Sequence, residues 1–316
     1  MSICHAIYSG DQVALQHTKH QDNSNGLHTI SLAHITAPRF SSRGKSDPFG
    51  FHSREFLRNL VLGKTVNFCT LPSNSSSGDL SLPSIPSITI HIVRNGWARV
   101  NEFPSNCAVS ALYSQLIKAQ QEAKSEQRGI WSDPSTSRSL LQEEKITIDP
   151  PPRIVFSKPQ STAKHITSTA QKCIVDHVIT GSFIRIIITD RRPMLSISIS
   201  LAGIQCPVFR RDAQGQSVPD PFAEQAKFFV ESRLLHREVP IEIHQFDDKR
   251  NCWVGSIRAE QGDLQCLLLK SGLAKLNEHH LLFTPTTAPS LREAEQEAKH
   301  GRINIWTDFV PPQSNN

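Results

Sequence analysis

"SLAHITAPRF" (31–40) and "SLAGIQCPVF" (200–209) write one pattern twice: an apolar strand, a small-residue corner, a proline and a phenylalanine. Three further pairs follow in the same order. "DPFGFHSREF" (47–56) is echoed by "DPFAEQAKFF" (220–229), "GWARVNE" (96–102) by "GLAKLNE" (272–278), and "QQEAKSEQRGIWSD" (120–133) by "EQEAKHGRINIWTD" (295–308). The offsets stay between 169 and 176 residues, so the chain is a tandem duplication of one folding unit. Its 316 residues suffice for two such units, each with its own core.

The second copy shows what the unit is. "KCIVDHVITG", "SFIRIIIT" and "LSISISLAGI" alternate or run apolar over strand lengths, and Gly181 and the "DRRPM" cluster mark the turns. "DPFAEQAKFFVESRLL" then carries apolar residues at helical spacing, with Asp220 placed to cap it and Pro221 suited to its first position. "VPIEIHQF" and "CWVGSIRAEQGDL" supply two more strands. "APSLREAEQEAKHGR" reads as a last helix, with Ser290 and Glu293 spaced as a capping box and Gly301 closing it. Five strands with a helix after the third is the order of an oligonucleotide/oligosaccharide-binding (OB) barrel. The expected boundaries are a first domain at 1–133, a linker at 134–167 with at most one strand ("KITI"), and a second domain at 168–312.

These residues resemble staphylococcal nuclease-like domains, and in particular the first two such domains of the Tudor-SN (Tudor staphylococcal nuclease) proteins. The stretch "LAGIQCPVFRRDAQGQSVPDPFAEQAKFFVESRLL" is the most specific, because simple nucleases of the family lack its insertion before the helix. The resemblance implies a mainly β fold with α: tandem nuclease-like OB barrels of five strands and about three helices each. Tudor-SN proteins continue into further nuclease-like domains and a Tudor domain, so the chain is similar to their N-terminal portion or to a shortened relative.

The resemblance also defines where catalysis would sit. In active members the third strand carries an arginine, the corner reads Asp-Thr-Pro-Glu, the first hairpin adds an aspartate and a later hairpin adds a second arginine. Together they bind Ca²⁺, activate water and clamp the phosphate, because hard Ca²⁺ needs carboxylate oxygens and guanidinium groups offset the growing charge. Carried over to this chain, the strand arginine falls on Ser31 and Ser200, the corner aspartate on Thr36 and Gln205, and the corner glutamate on Arg39 and Val208. Only Pro38 and Pro207 persist. The hairpin aspartate survives as Asp11 in the first copy and is Ser182 in the second. The second arginine falls on Cys252 or Trp253, with Lys249 and Arg250 just before it. The first copy has no arginine in "SNSSSGDLSLPSIPSITI", whose Ser/Pro richness predicts a degraded or loop-like hairpin. No metal site or cofactor is therefore expected; Ca²⁺ enters only if the chain is a nuclease.

Binding is the other chemistry this surface supports. "PRFSSRGK" interleaves Arg39, Phe40, Arg43 and Lys45, and "PVFRRD" does the same with Phe209, Arg210 and Arg211. Cations hold phosphates and aromatic rings stack on bases, so these loops, together with Lys249 and Arg250, are the candidate nucleic-acid contacts. Elsewhere the residues read as structural. Trp131 and Trp306 close the last helices. His279 and His280, like His17 and His20, lack carboxylate or cysteine companions at ligand spacing, and Cys206 has no nearby histidine to activate it.

Composition is consistent with this. The seven cysteines are odd in number, scattered and never in a CxxC, which argues against a disulfide framework or a zinc site. The net charge of +5 divides into +3 for 1–133, +2 for 134–167 and zero for 168–316, a balance that permits a nucleic-acid partner without requiring one. No apolar run approaches the ~20 residues of a spanning helix, so no membrane association is expected, and a cytoplasmic, also nuclear, location follows. Three functions fit: an RNA-binding scaffold of RNA silencing, RNA turnover and transcription co-activator complexes, as the resemblance implies; a Ca²⁺-dependent phosphodiesterase cutting RNA; or a protein-interaction platform without nucleic acid.

Overall fold

Apolar residues on alternate positions of the opening strands turn one face of each copy inward, and in the computed structural model each copy closes into a five-stranded barrel. The structure describes residues 1–17, 27–71, 74–102, 111–149 and 171–310. His20, Cys107, positions 150–167 of the expected linker, and the first three and last two positions of the expected second domain lie outside the described residues. The chain divides into two units, Met1–Ile146 and Thr147–Asn316.

In the first unit β1 (Ser2–Ser9), β2 (Gln12–His17) and β3 (Leu27–Leu32) form a meander. A two-residue strand β4 (Ile35–Thr36) marks the corner, and helix α1 (Gly50–Val61) follows. The hairpin β5 (Thr65–Leu71) and β6 (Asn74–Ser81) completes the barrel in the order β1-β2-β3-β6-β5, with β5 closing on β1. The β3–β6 pairing is parallel. Helix α2 (Ile88–Arg94), the short strand β7 (Arg99–Val100) and α3 (Ala111–Ser125) come next. Leu57, Val61, Leu80, Ile88, Ile92 and Leu116 are buried in the core.

The Ser-rich stretch expected to be degraded or loop-like supplies strand β6, paired with β5, and then the turn that leads into α2. Its serines satisfy the barrel's backbone ladder without filling the core, and Gly78 lets β6 approach β5 where a Cβ would overlap the Cys69 carbonyl. Similarly, the start of the expected linker is helix α4 (Pro134–Glu143), whose N-terminus is capped by Asp133. Glu144, just beyond it, accepts hydrogen bonds from the Phe49 and His52 backbone N–H groups (2.7 and 3.0 Å), which fastens α4 to α1.

The "KITI" patch is β8 (Ile146–Asp149), an added edge strand of the second unit's sheet beside β11. That unit repeats the plan with β9 (Gln171–Thr180), β10 (Phe183–Ile188), β11 (Met194–Leu201) and the corner strand β12 (Ile204–Gln205). The family-specific insertion folds as a hairpin of β13 (Phe209–Arg211) and β14 (Ser217–Pro219), followed by α5 (Ala223–Leu234). Strands β15 (Glu238–Asp247) and β16 (Cys252–Ala259) close the barrel through a parallel β11–β16 pairing. The short strand β17 (Gly262–Asp263), α6 (Leu264–Lys270), β18 (Lys275–Leu276), α7 (Glu278–Leu281) and α8 (Ala288–His300) complete it.

Backbone contacts establish the duplication more firmly than letters do. Ala33 N–H donates to the Gly78 carbonyl and Ala202 N–H to the Gly255 carbonyl, both at 2.8 Å. The corner strands pair alike, Thr36 with Arg99 and Gln205 with Lys275. Each closing tryptophan ends a 3-10 turn whose isoleucine donates to the carbonyl of a left-handed glycine: Ile130 to Gly96 and Ile305 to Gly272. A side chain at either glycine would overlap the Arg128 or Ile303 carbonyl.

Two expected caps are corrected. Asp220 and Pro221 lie in a turn before α5; the helix is entered through Phe222 in a left-handed conformation (φ 67°), and the first copy does the same at Phe49 (φ 66°). The last helix begins at Ala288 after Thr287, so Ser290 lies inside its first turn, and Gly301 ends it with an ordinary φ of −73°.

Candidate functional site

The tight turn between β1 and β2 carries Asp11 against the corner, and its carboxylate is fully engaged there. Oδ2 accepts from the Ala37 backbone N–H at 3.1 Å and Oδ1 accepts from the Ser9 hydroxyl. Arg39 folds back over the same place. Its Nη1 donates to Ser9 Oγ and Gln12 Oε1, both at 3.1 Å, and lies 3.9 Å from Asp11 Oδ1. Asp11 is only 5% exposed. The second unit makes the same anchor without charge: Ser182 Oγ accepts from the Cys206 N–H at 3.0 Å. The hairpin residue thus performs one job in both copies, tying the corner to the first turn.

This donor set does not fit Ca²⁺. Around Asp11 the corner contributes Thr36, hydrogen-bonded to Asn101 Oδ1 at 2.7 Å, and a guanidinium instead of carboxylates. Ser31 is half-buried and accepts from Gln12, while Ser200 is buried in β11. Gln205 is exposed and Val208 is a half-buried side chain with no oxygen to offer. Among the described residues no cluster of three or more His, Cys, Asp or Glu side chains is arranged to hold a metal. A hard cation needs several oxygens, and one hydrogen-bonded carboxylate beside an arginine supplies too few.

The candidate binding residues divide into two groups. Arg39 is committed to the turn, and Arg210 pairs with Asp220 at 2.8 Å. Phe40 packs edge-on against Phe51 (5.3 Å) and under the buried Arg54 guanidinium (4.3 Å), and Phe209 lies beneath Lys227 at 5.6 Å. Both rings therefore anchor their loops to the helix that follows. In contrast, Arg43, Lys45, Arg211, Lys249 and Arg250 are exposed and form no ion pair among the described residues. Trp253, on one of the two positions to which the family's second arginine would align, is fully buried and stacks edge-on with Phe246 at 5.1 Å; Cys252, on the other, is buried too. Burial pushes the Cys206 thiol up to about 12, leaving it protonated and inert as a nucleophile.

One group escaped the sequence reading. His280 has a carboxylate companion after all: its Nε2 lies 3.6 Å from Asp247 Oδ2, with the histidine side chain 1% exposed. The two stand 33 positions apart on different elements, a spacing that no local motif signals.

Comparison with known proteins adds independent findings. Residues 29–133 and 198–308 each match the family described as staphylococcal nuclease homologue. The chain is similar to staphylococcal nuclease domain-containing protein 1 of Drosophila melanogaster, at 28% identity over 96% of this chain and 33% of that protein. It is 30% identical to the Schizosaccharomyces pombe protein of the same name, over 89% of this chain and 32% of the relative. With ribonuclease TUDOR 1 of Arabidopsis thaliana it shares 28% identity over 98% of this chain and 36% of that protein. The chain therefore spans about a third of the length of these curated relatives.

Proposed function

The chain belongs to the staphylococcal nuclease homologue family, and from that membership we propose that it is an RNA-binding pair of nuclease-like barrels whose corners hold polyanion without cleaving it. The observation that carries this reading is a contrast between the corner carboxylate and the cations of the corner loops and of the β15–β16 hairpin tip. The surviving carboxylate is consumed by the fold, whereas Arg43, Lys45, Arg211, Lys249 and Arg250 stay exposed and unpaired among the described residues. A surface of this kind attracts phosphates, and its one corner carboxylate, already hydrogen-bonded by the fold, is a poor base for water and too small a donor set for a hard cation. Within this reading the chain works as a scaffold of RNA silencing, RNA turnover and transcription co-activator complexes, in the cytoplasm and also the nucleus, with protein components of those complexes as partners.

RNA cleavage is the second reading, favoured by the name of the Arabidopsis relative, ribonuclease TUDOR 1. Filter binding with single- and double-stranded RNA, with and without Ca²⁺, separates the two. Binding that falls steeply with salt and intact RNA in either condition are expected. Replacing Arg43, Arg211, Lys249 and Arg250 together by alanine should flatten the single-strand salt slope by about two to three units, since each phosphate contact contributes ~0.7. Ca²⁺-stimulated cutting that Asp11→Ala abolishes would establish the nuclease instead. No binding at low salt would leave a protein-interaction platform.

A further inference from the structure

The exposed cations Lys249 and Arg250 sit at the tip of the β15–β16 hairpin, and Asp247 shapes that tip. Its Oδ1 accepts from the Lys249 and Arg250 backbone N–H groups at 2.9 and 3.1 Å. Its other oxygen, Oδ2, faces His280 on α7 at 3.6 Å. That helix is rooted in the corner. Asn277 N–H donates to the Gly203 carbonyl at 2.9 Å, Leu276 pairs with Ile204, and Asn277 caps α7 through the His280 N–H. The Asp247–His280 contact is thus a side-chain link between the cationic tip and the segment rooted in the corner.

The groups around the imidazole oppose one another. Burial, the Arg250 guanidinium and neighbouring His279 all disfavour the imidazolium, and Asp247 favours it; the balance holds His280 below its ordinary range, so it is neutral at pH 7. Its Nδ1 is buried without a hydrogen-bond partner among the described residues. Asp247 itself stays below the usual carboxylate range. Burial would raise it, but the two backbone N–H groups and His280 outweigh that.

We infer that Asp247 and His280 form a protonation-linked clasp, in which a phosphate of bound RNA on Arg250 and a proton on His280 each strengthen the binding of the other. This rests on the RNA-binding reading. A phosphate on Arg250 cancels the charge that repels a proton from His280, and the imidazolium then gains Asp247 as a full counter-ion inside the barrel wall. By linkage, RNA affinity rises as pH falls through the value His280 takes with RNA bound, by up to about tenfold for each pKa unit that binding adds to His280.

The test uses the full chain and a fluorescein-labelled single-stranded oligouridylate, with anisotropy read from pH 7.5 to 5.5 at constant ionic strength and folding checked by circular dichroism. Wild type should gain affinity on acidification. His279→Gln should keep most of the gain, and His280→Gln should lose it while matching wild type at pH 7.5. A His280→Gln variant that keeps the acid gain, or that is equally weakened at every pH, overturns the clasp. NMR titration of the His280 ring in Arg250→Ala without RNA decides the coupling by itself. The imidazole should titrate at higher pH than in wild type, and an unchanged titration refutes the clasp. Should the oligonucleotide bind at no pH, the RNA reading fails, and the Arg250→Ala titration still decides whether tip and histidine are coupled.

Discussion

Replacing Asp11 distinguishes an architectural anchor from a vestige. In Asp11→Ala the buried Ala37 N–H loses its acceptor, the Ser9 hydroxyl loses its acceptor but still receives Arg39, and Arg39 keeps Ser9 and Gln12. An unsatisfied buried donor costs about 1–3 kcal/mol, and for a unit of this size each kcal/mol lowers the melting temperature by roughly 2–5 °C. Asp11→Ser copies the second unit, where Ser182 Oγ receives the Cys206 N–H at 3.0 Å. A serine there should restore the anchor and recover most of the loss. Urea unfolding of both variants measures this. The two units need not unfold together, so the loss should appear in the transition assigned to the first unit by its own probe, such as Trp97 or Trp131 fluorescence. Millimolar Ca²⁺ should shift neither wild type nor variants, because a folded-state ligand would add stability as RT ln(1 + [L]/Kd). Equal destabilisation by alanine and serine, or a Ca²⁺-dependent rise in wild type that Asp11→Ala removes, would refute the anchor.

Two further outcomes are expected. Iodoacetamide at pH 8 should label exposed Cys69 and spare Cys206, whose burial holds its thiol near 12, until urea opens the second unit; peptide mass spectrometry reads the order. Burial raises the Glu144 carboxyl, outweighing the backbone N–H groups and His52 that favour its charge. The folded state therefore holds that proton more tightly than the unfolded chain, so this group's contribution to stability falls as pH rises from about 4.5 through its raised value. Thermal melts of Glu144→Gln should lack that component.

The amino-acid sequence by itself determined the two barrels, their five-strand order, the helix after the third strand and the corners that align between copies. These follow from patterns local in the chain: alternation of apolar residues along a strand, turn residues between strands, and a repeat whose offsets barely vary. Its resemblance to nuclease-like domains placed Thr36, Gln205, Arg39 and Val208 where active members carry the corner acids. Tertiary structure decided what the remaining polar groups do. Arg39 and Arg43 look alike in "PRFSSRGK", yet barrel closure brings Ser9, Gln12 and Asp11 to the first and leaves the second exposed. Glu144 finds its donors in Phe49 and His52, more than ninety positions earlier, and His280 finds Asp247 on a different element. The Ser-rich β6 is a strand because β3 and β5 offer it a ladder on both sides, a backbone demand that overrides composition. Hydrogen-bond and charge partners are chosen by which surfaces meet when the sheet closes, and that geometry is a property of the whole unit rather than of any stretch within it.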